Sequence, residues 1–407
     1  MDDAILVINA GSSSVKFAVA EAGDHAVTTL VKGKLTRLDQ APHFTATTDA
    51  GEVVADTFWE PTGGRQEILF GKLVDWLDHH LDGHTLLAAG HRVVHGGTRF
   101  TAPVVVTPRV LDDLADLIPL APLHQPHNLE AIRAMAAAHP HLPQVACFDT
   151  AFHAGHSDAA MRFALPRALH EDGVRRYGFH GLSYEFIARQ MARVAPDLAR
   201  GRVVVAHLGN GASLCAMFNG RSVDSTMGFT ALDGLPMGTR TGSIDAGVIL
   251  YLLDQGMGHE TLQHLLYEQS GLLGLSGGIG SDMRTLLGSG RLEAAQAVDY
   301  FVYRTVRDIG AMAACLGGLD GLVFTAGIGE RSAEIRARIG RGCAWLGIDI
   351  DPVANARGTG CISGAMSRAA AWVIPTDEEQ MIALHAIEAL KTAASDDRIS
   401  KEEFFHV

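Results

Sequence analysis

A chain of 407 residues is too long for one ordinary domain and fits two. With 47% hydrophobic and 19% charged residues it can bury large cores, which excludes a disordered chain, and its 45 glycines, gathered in short loops between apolar runs, suit an α/β enzyme. The formal charge of −13 comes with no basic tract, which argues against a nucleic-acid partner and leaves small anions as the expected ligands.

The first apolar run, Ile5-Leu6-Val7-Ile8, breaks at Asn9-Ala10-Gly11-Ser12-Ser13-Ser14 and resumes as Val15-Lys16-Phe17-Ala18-Val19, which reads as strand–turn–strand. Met1-Asp2-Asp3 precede it directly, so no signal peptide is expected. Arg92 lies in Gly90-His91-Arg92-Val93-Val94-His95-Gly96-Gly97, where flanking glycines leave its guanidinium open to a carboxylate or phosphate. Strands are expected at 102–107 and 144–148, with an alanine-rich helix after Pro126 that aligns Leu129, Ile132 and Met135 or Ala136 on one face. Asp149 then falls at the end of a strand, where ligands of α/β sheets gather. His180, between Phe179 and Gly181, can donate a hydrogen bond to a transferring phosphoryl group.

About 200 residues after the first turn the pattern restarts: Val203-Val204-Val205-Ala206, then His207-Leu208-Gly209-Asn210-Gly211-Ala212-Ser213, then Leu214-Cys215-Ala216-Met217-Phe218. Glycine lets backbone N–H groups face a ligand at close range, so two such turns suggest two related lobes holding one nucleotide. Arg240 sits in a second glycine-flanked segment, Met237-Gly238-Thr239-Arg240-Thr241-Gly242. Helices are expected near 244–254, 259–268 and 292–315. A strand at 321–325 runs through Ala326-Gly327-Ile328-Gly329-Glu330 toward a helix near 332–340. That junction, and Ser281-Asp282-Met283-Arg284 after a glycine-rich stretch, are natural places for a base or ribose to lie against backbone. The last helix is expected to begin at Thr376 with Thr376-x-x-Glu379 as a capping box, and the tail from Ser395 to fray.

Five cysteines without a CxxC pair read as buried thiols of a reducing compartment. No apolar run approaches the ~20 residues that span a bilayer, so a soluble cytoplasmic protein without a membrane partner is expected. The pairs His91/His95, His124/His127 and His153/His156 could be read as metal ligands, but no Glu falls inside any of the three intervals, and a histidine-bound metal is disfavoured.

Taken together, these segments resemble the acetate kinase (acetokinase) family, within the superfamily of acetate and sugar kinases, heat-shock ATPases and actin. The resemblance runs from about residue 4 to 390 and rests on 9–16, 91–97, 148–153, 177–181, 207–211, 237–240 and 375–379. It implies an α/β fold of two ribonuclease H-like (actin-like ATPase) domains, each a mixed sheet flanked by helices, with the active-site cleft between them. The acyl lobe would comprise 1–150 plus about 380–407, and the nucleotide lobe 151–379. The implied reaction is Mg²⁺-dependent phosphoryl transfer from ATP to acetate, giving ADP and acetyl phosphate, with Mn²⁺ as an alternative ion and a homodimer as the usual assembly.

The resemblance also implies roles. Asn9 and Glu378 would serve the metal. Ser12, Ser14, Lys16 and the loop of His207, Leu208, Gly209, Asn210 and Gly211 would serve the phosphates. Asp282, Met283 and Arg284, with Gly327, Ile328, Gly329, Glu330 and Arg331, would hold the adenosine. Arg92 would hold the acyl carboxylate and Val94, Leu123, Phe179 and Ala231 its methyl group. Asp149, His180 and Arg240 would be catalytic. Gln125, Ala231, Arg331 and Asp377 stand where the family more often has Asn, Pro, Asn and Asn, and Ala231 leaves acetate against propionate open. The alternatives are a propionate or butyrate kinase, a nucleotide-switched binding module and an acyl phosphatase.

Overall fold

In the computed structural model the described residues are 3–11, 14–23, 27–38, 41–63, 65–81 and 83–403, with side chains described to residue 395. Ser12 therefore lies outside the described residues. The chain divides into two compact units, Met1–Ala151 with Asp377–Val407, and Phe152–Thr376.

The first unit is built on an eight-stranded sheet: β1 (Asp3–Ala10), β2 (Ser14–Ala22), β3 (Val27–Thr36), β4 (His43–Thr48), β5 (Val53–Phe58), β6 (Thr85–Val93), β7 (Val104–Val105) and β8 (Gln144–Phe148), in the order β5-β4-β3-β2-β1-β6-β8-β7. β1, β6 and β8 run parallel, while β1 to β5 form an antiparallel meander. β1 is buried almost throughout because both faces of the sheet are covered. On one side the Gln66–Asp78 helix inserts Leu69, Phe70, Leu73, Val74 and Leu77 at helical spacing. The C-terminal helix, Glu378–Glu403, buries Met381, Ile382 and Ala386 and packs on β1, β6 and β8.

The second unit carries a six-stranded sheet: β9 (Arg202–Leu208), β10 (Ala212–Phe218), β11 (Arg221–Ser225), β12 (Gly321–Thr325), β13 (Gly360–Cys361) and β14 (Ala370–Val373), in the order β11-β10-β9-β12-β14-β13. β9, β12 and β14 are parallel and β10 is antiparallel to both of its neighbours. The Leu292–Cys315 helix lies on this sheet through Ala294, Ala297, Val298, Phe301, Ile309 and Met312. Among the described residues no helix is long and apolar enough to cross a membrane.

Four local expectations need correction. Of the 102–107 run only Val104–Val105 is strand, with Val106 N–H still bonding Gln144 O at 2.8 Å, because Pro103 offers no N–H and Thr107 already caps the Pro108–Ala115 helix. Residues Ala326–Arg331, read as the junction between a strand and the next helix, are a short helix of their own. The last helix starts at Glu378, and its N-cap is Asp377, whose Oδ1 accepts from the Gln380 N–H at 2.8 Å. The expected cap Thr376 instead bonds Ser183 Oγ through its hydroxyl. That last helix also continues through Glu403 where fraying was expected from Ser395.

Candidate functional site

In the first unit the ends of the parallel strands converge on one ion pair. Arg92, the penultimate residue of β6, meets Asp149, the first residue after β8. Arg92 Nη2 donates to Asp149 Oδ2 at 2.6 Å, and Nε lies 3.2 Å from both carboxylate oxygens. Nη1 donates to Asn9 Oδ1 at 3.3 Å. Asp149 is 1% exposed whereas the Arg92 side chain keeps 26%, so the carboxylate is sealed and only the arginine retains solvent access. One N–H on each Nη remains beyond these bonds. Glu378 Oε2 lies 3.9 Å from Arg92 Nε. Burial, with Asp149 and Glu379 nearby, pushes the Glu378 carboxyl up to about 7 despite the opposing pull of Arg92.

The backbone around this pair is tied by buried amides. Asn128 accepts from Val94 N–H at 3.0 Å and donates to Ala10 O at 2.9 Å, linking the end of β1 to the segment after β6. Gln125 accepts from His95 N–H and donates to the His95 and Leu114 carbonyls. Val94 is buried and Leu123 half-buried in this unit. Ser14 O accepts from Gly11 N–H at 2.8 Å, closing the first turn. Lys16 is exposed and lines a cavity of about 340 Å³ with Lys32, Lys34 and Glu379.

In the second unit two imidazoles stack. The His180 and His207 rings lie 4.2 Å apart at 14°. His180 caps the Gly181–Val194 helix with a left-handed backbone, φ +57°, and its Nδ1 is 2.8 Å from Ser213 Oγ. Tyr184 Oη reaches the same hydroxyl at 2.6 Å. His207 Nδ1 is 2.8 Å from Ser183 Oγ. The chain reverses through Leu208, Gly209, Asn210 and Gly211; a Cβ on Gly211 would sit 3.1 Å from His180 Nε2, so any larger residue would press on this ring. Asn210 O accepts from Gly238 N–H, which ties this turn to the loop carrying Arg240. Arg240 Nη1 donates to Ala231 O at 3.1 Å. Phe179 is buried and Ala231 half-buried, so the four residues expected around an acyl methyl fall two in each unit.

Asp282, Met283, Arg284, Gly327, Ile328 and Arg331, with Leu287 and Ser332, line a cavity of about 370 Å³. That is the size of a small-ligand site. Asp282 caps the Met283–Leu287 helix through Thr285 N–H at 2.9 Å, and the Thr285 hydroxyl together with that N–H holds its carboxyl below the usual range. Arg284 and Arg331 are exposed. Gly329 packs inward toward Phe324 and Ala206 O. Glu330 Oε1 accepts from Ala326 N–H at 2.8 Å and Thr376 N–H at 3.1 Å, so this carboxylate closes the short helix on itself.

The linking residues Asn128, Gln125, Ser183, Tyr184 and Ser213 were not among the expected site residues. Their signal is a polar group at a core-facing position of a helix or strand, as in Gln125-x-x-Asn128, spaced for one helical face.

The acetokinase family model matches residues 4–384. The chain is 53% identical over 394 residues to an acetate kinase of Rhodopseudomonas palustris, covering 95% of this chain and 98% of that one. It is 49% identical over 387 residues to an acetate kinase of Rhizobium meliloti, with 95% and 98% covered. Among solved structures, a propionate kinase from Francisella tularensis superposes with a TM-score of 0.86 at 37% identity, covering 94% of this chain and 98% of that one. Porphyromonas gingivalis acetate kinase gives 0.86 at 34%, with 95% and 100% covered. With its two mixed sheets and a match along nearly its whole length, the chain belongs to the acetokinase family of phosphotransferases.

Proposed function

We propose that the protein transfers the γ-phosphoryl group of ATP reversibly to acetate, giving ADP and acetyl phosphate. The supporting observation is the Asp149–Arg92 pair, in which the carboxylate is buried and the arginine side chain keeps partial solvent access. A carboxylate acceptor is already ionised at neutral pH, so no base is needed. One acetate oxygen forms the new bond to phosphorus as the bond to the ADP oxygen breaks, and the electron pair leaves with ADP. The obstacle is repulsion between two anions, and the remaining Arg92 N–H groups would neutralise and align the acetate. Asp149, spent on Arg92, holds the guanidinium edge and does not act as a base.

His180 and Arg240 would donate to the oxygens of the moving phosphoryl group. If Tyr184 donates to Ser213 and Ser213 to His180 Nδ1, Nε2 carries the proton to be offered. The phosphates would lie along the 207–211 turn with Lys16 and Ser14, and the adenosine in the cavity of Asp282 and Gly327. Asn9 and Glu378 would hold Mg²⁺ or Mn²⁺. Mg²⁺ takes oxygen donors, commonly one or two carboxylates plus substrate phosphates, and Glu378 is a carboxyl whose ionisation is opposed first by burial and then by Asp149 and Glu379, a cost a cation relieves. When bound, the ion draws charge from the phosphates.

The five cysteines are all free thiols, which suits a reducing cytoplasm, although only Cys147, Cys215 and Cys343 are buried as expected while Cys315 and Cys361 are exposed. The Ala246–Asp254 helix exposes Val248, Leu250, Tyr251 and Leu253, an apolar face that suits a second copy in a homodimer. The test of function is to supply acetyl phosphate, ADP and Mg²⁺. ATP is the expected product, and free phosphate without ATP would make the protein an acyl phosphatase. Comparing kcat/KM for acetate, propionate and butyrate then reads the acceptor set by Ala231.

A further inference from the structure

His153 is fully buried, yet both nitrogens of its ring are engaged. Nε2 lies 2.9 Å from the carbonyl of Phe179, the residue before His180, and Nδ1 lies 2.8 Å from Ser222 Oγ. The carbonyl has no proton to give, so Nε2 carries the hydrogen and Nδ1 accepts from the Ser222 hydroxyl. With its one proton spent, Ser222 Oγ accepts in turn from His156 Nε2, 2.7 Å away. One premise thus orders a chain of donors from His156 through Ser222 and His153 to the backbone at Phe179. Burial pushes His153 down to about 3 and His156 to about 4, so both rings stay neutral near pH 7 and the donor pattern does not change there.

The ring also touches the His180 segment in two other ways. Gly178 has φ +80°, and a Cβ there would lie 2.6 Å from His153 Cγ, so the backbone passes directly over the imidazole. The Tyr184 ring meets His153 edge-on at 5.7 Å, and Tyr184 shares Ser213 with His180. His180 itself sits in the left-handed region, an uncommon conformation for a residue with a Cβ.

We propose that His153 is a positioning residue for phosphoryl transfer: through the Phe179 carbonyl, Gly178 and Tyr184 it fixes the imidazole of His180. This rests on the reading of His180 as a donor to the moving phosphoryl group. A buried histidine with a purely structural role would change stability alone, whereas a positioning residue changes turnover through His180.

The experiment is a double-mutant cycle on the full chain. His153→Phe keeps a ring but loses both bonds; kcat is expected to fall about 100-fold, the scale of a 1 Å misplacement, while KM for ATP and acetate stays within about threefold. His153→Gln, which can both donate and accept, regains about tenfold of that loss. Combined with His180→Ala, His153→Phe should add almost nothing, because the group it positions is gone. Should His153→Phe fail to fold, Ser222→Ala leaves the ring in place, and its smaller fall, about threefold to tenfold, should vanish in the same way on His180→Ala. Losses that multiply in the double variant, or a folded His153→Phe enzyme with kcat within threefold of the parent, would overturn the inference. Full turnover in His180→Ala alone would instead overturn the reading of His180, and this inference with it.

Discussion

Both units arrange a meander and two parallel strands in one order, β3-β2-β1-β6-β8 in the first and β11-β10-β9-β12-β14 in the second. The segments that leave the parallel strands differ. β6 and β8 lead into Arg92 and Asp149, a buried charge pair. β12 instead opens into a short helix at Ala326, and β14 leads to Thr376, whose N–H is tied back to Glu330 in that helix. The hairpin turns differ too: Asn9 and Lys16 face each other across β1 and β2, whereas Gly211 clears space beside the stacked pair of His180 and His207. One topology therefore presents fixed charge at one set of strand ends, and backbone, glycine and imidazole at the other. Sheet order positions the site, and the residues at the strand ends decide which ligand it takes.

The largest effects should come from removing charge on the first side and its counterpart on the second. Arg92→Ala and Arg240→Ala should each lower kcat by about 10³-fold or more, by the scale of arginine fingers. Steady-state rates near parental in both would break the contrast between the two sets of strand ends. Arg92→Ala should also lower the thermal midpoint, because it leaves Asp149 buried without its partner, a loss of about 3 kcal/mol.

Glu378 gives a pH-dependent test. Its folded-state pKa of about 7 is above the ordinary carboxyl value of 4.5, so the folded protein binds the extra proton. The stability this supplies is complete below about 4.5 and is lost as pH rises to about 7. Glu378→Gln imitates the protonated form and should therefore stabilise the metal-free protein more at pH 8 than at pH 5, by about 1–3 kcal/mol at the upper end. Thermal melts at the two pH values check this; an equal or opposite difference would show that burial and the neighbouring carboxylates do not raise this carboxyl. The same variant should raise the Mg²⁺ concentration needed for half-maximal rate.

On the second side, Arg331→Ala should raise KM for ATP roughly tenfold with kcat little changed, the loss of one charged contact. An unchanged KM would move the adenosine out of the Asp282–Ser332 cavity. The smallest effect sharpens a boundary. Asp377→Ala removes the cap of the C-terminal helix and the 2.8 Å contact with Lys32, and should cost about 1 kcal/mol of stability; Glu379→Ala should cost less.

Much of this fold is legible in the sequence. Short β-branched runs broken by Gly, Asn and Ser mark both hairpins, and the 259–268, 292–315 and 321–325 elements stand where periodicity puts them. Arg92 and Asp149 are 57 positions apart, and nothing local to either shows that they pair. Their meeting depends on β6 and β8 lying side by side, a long-range fact. Thr376 reads as a cap because Thr-x-x-Glu fits one, yet Asp377 wins with a carboxylate at the helix start. The 326–331 helix stays hidden because two glycines in six residues argue against helix, and the Glu330 carboxylate overrides that preference from within.

The division of labour between the units is tested most directly by equilibrium binding of ADP to Arg92→Ala, measured calorimetrically without acetate. The expected dissociation constant lies within about twofold of the parent, since the proposed adenosine contacts all lie in the other unit and Arg92 is proposed to hold only acetate. A fall in ADP affinity of tenfold or more in that variant would contradict it.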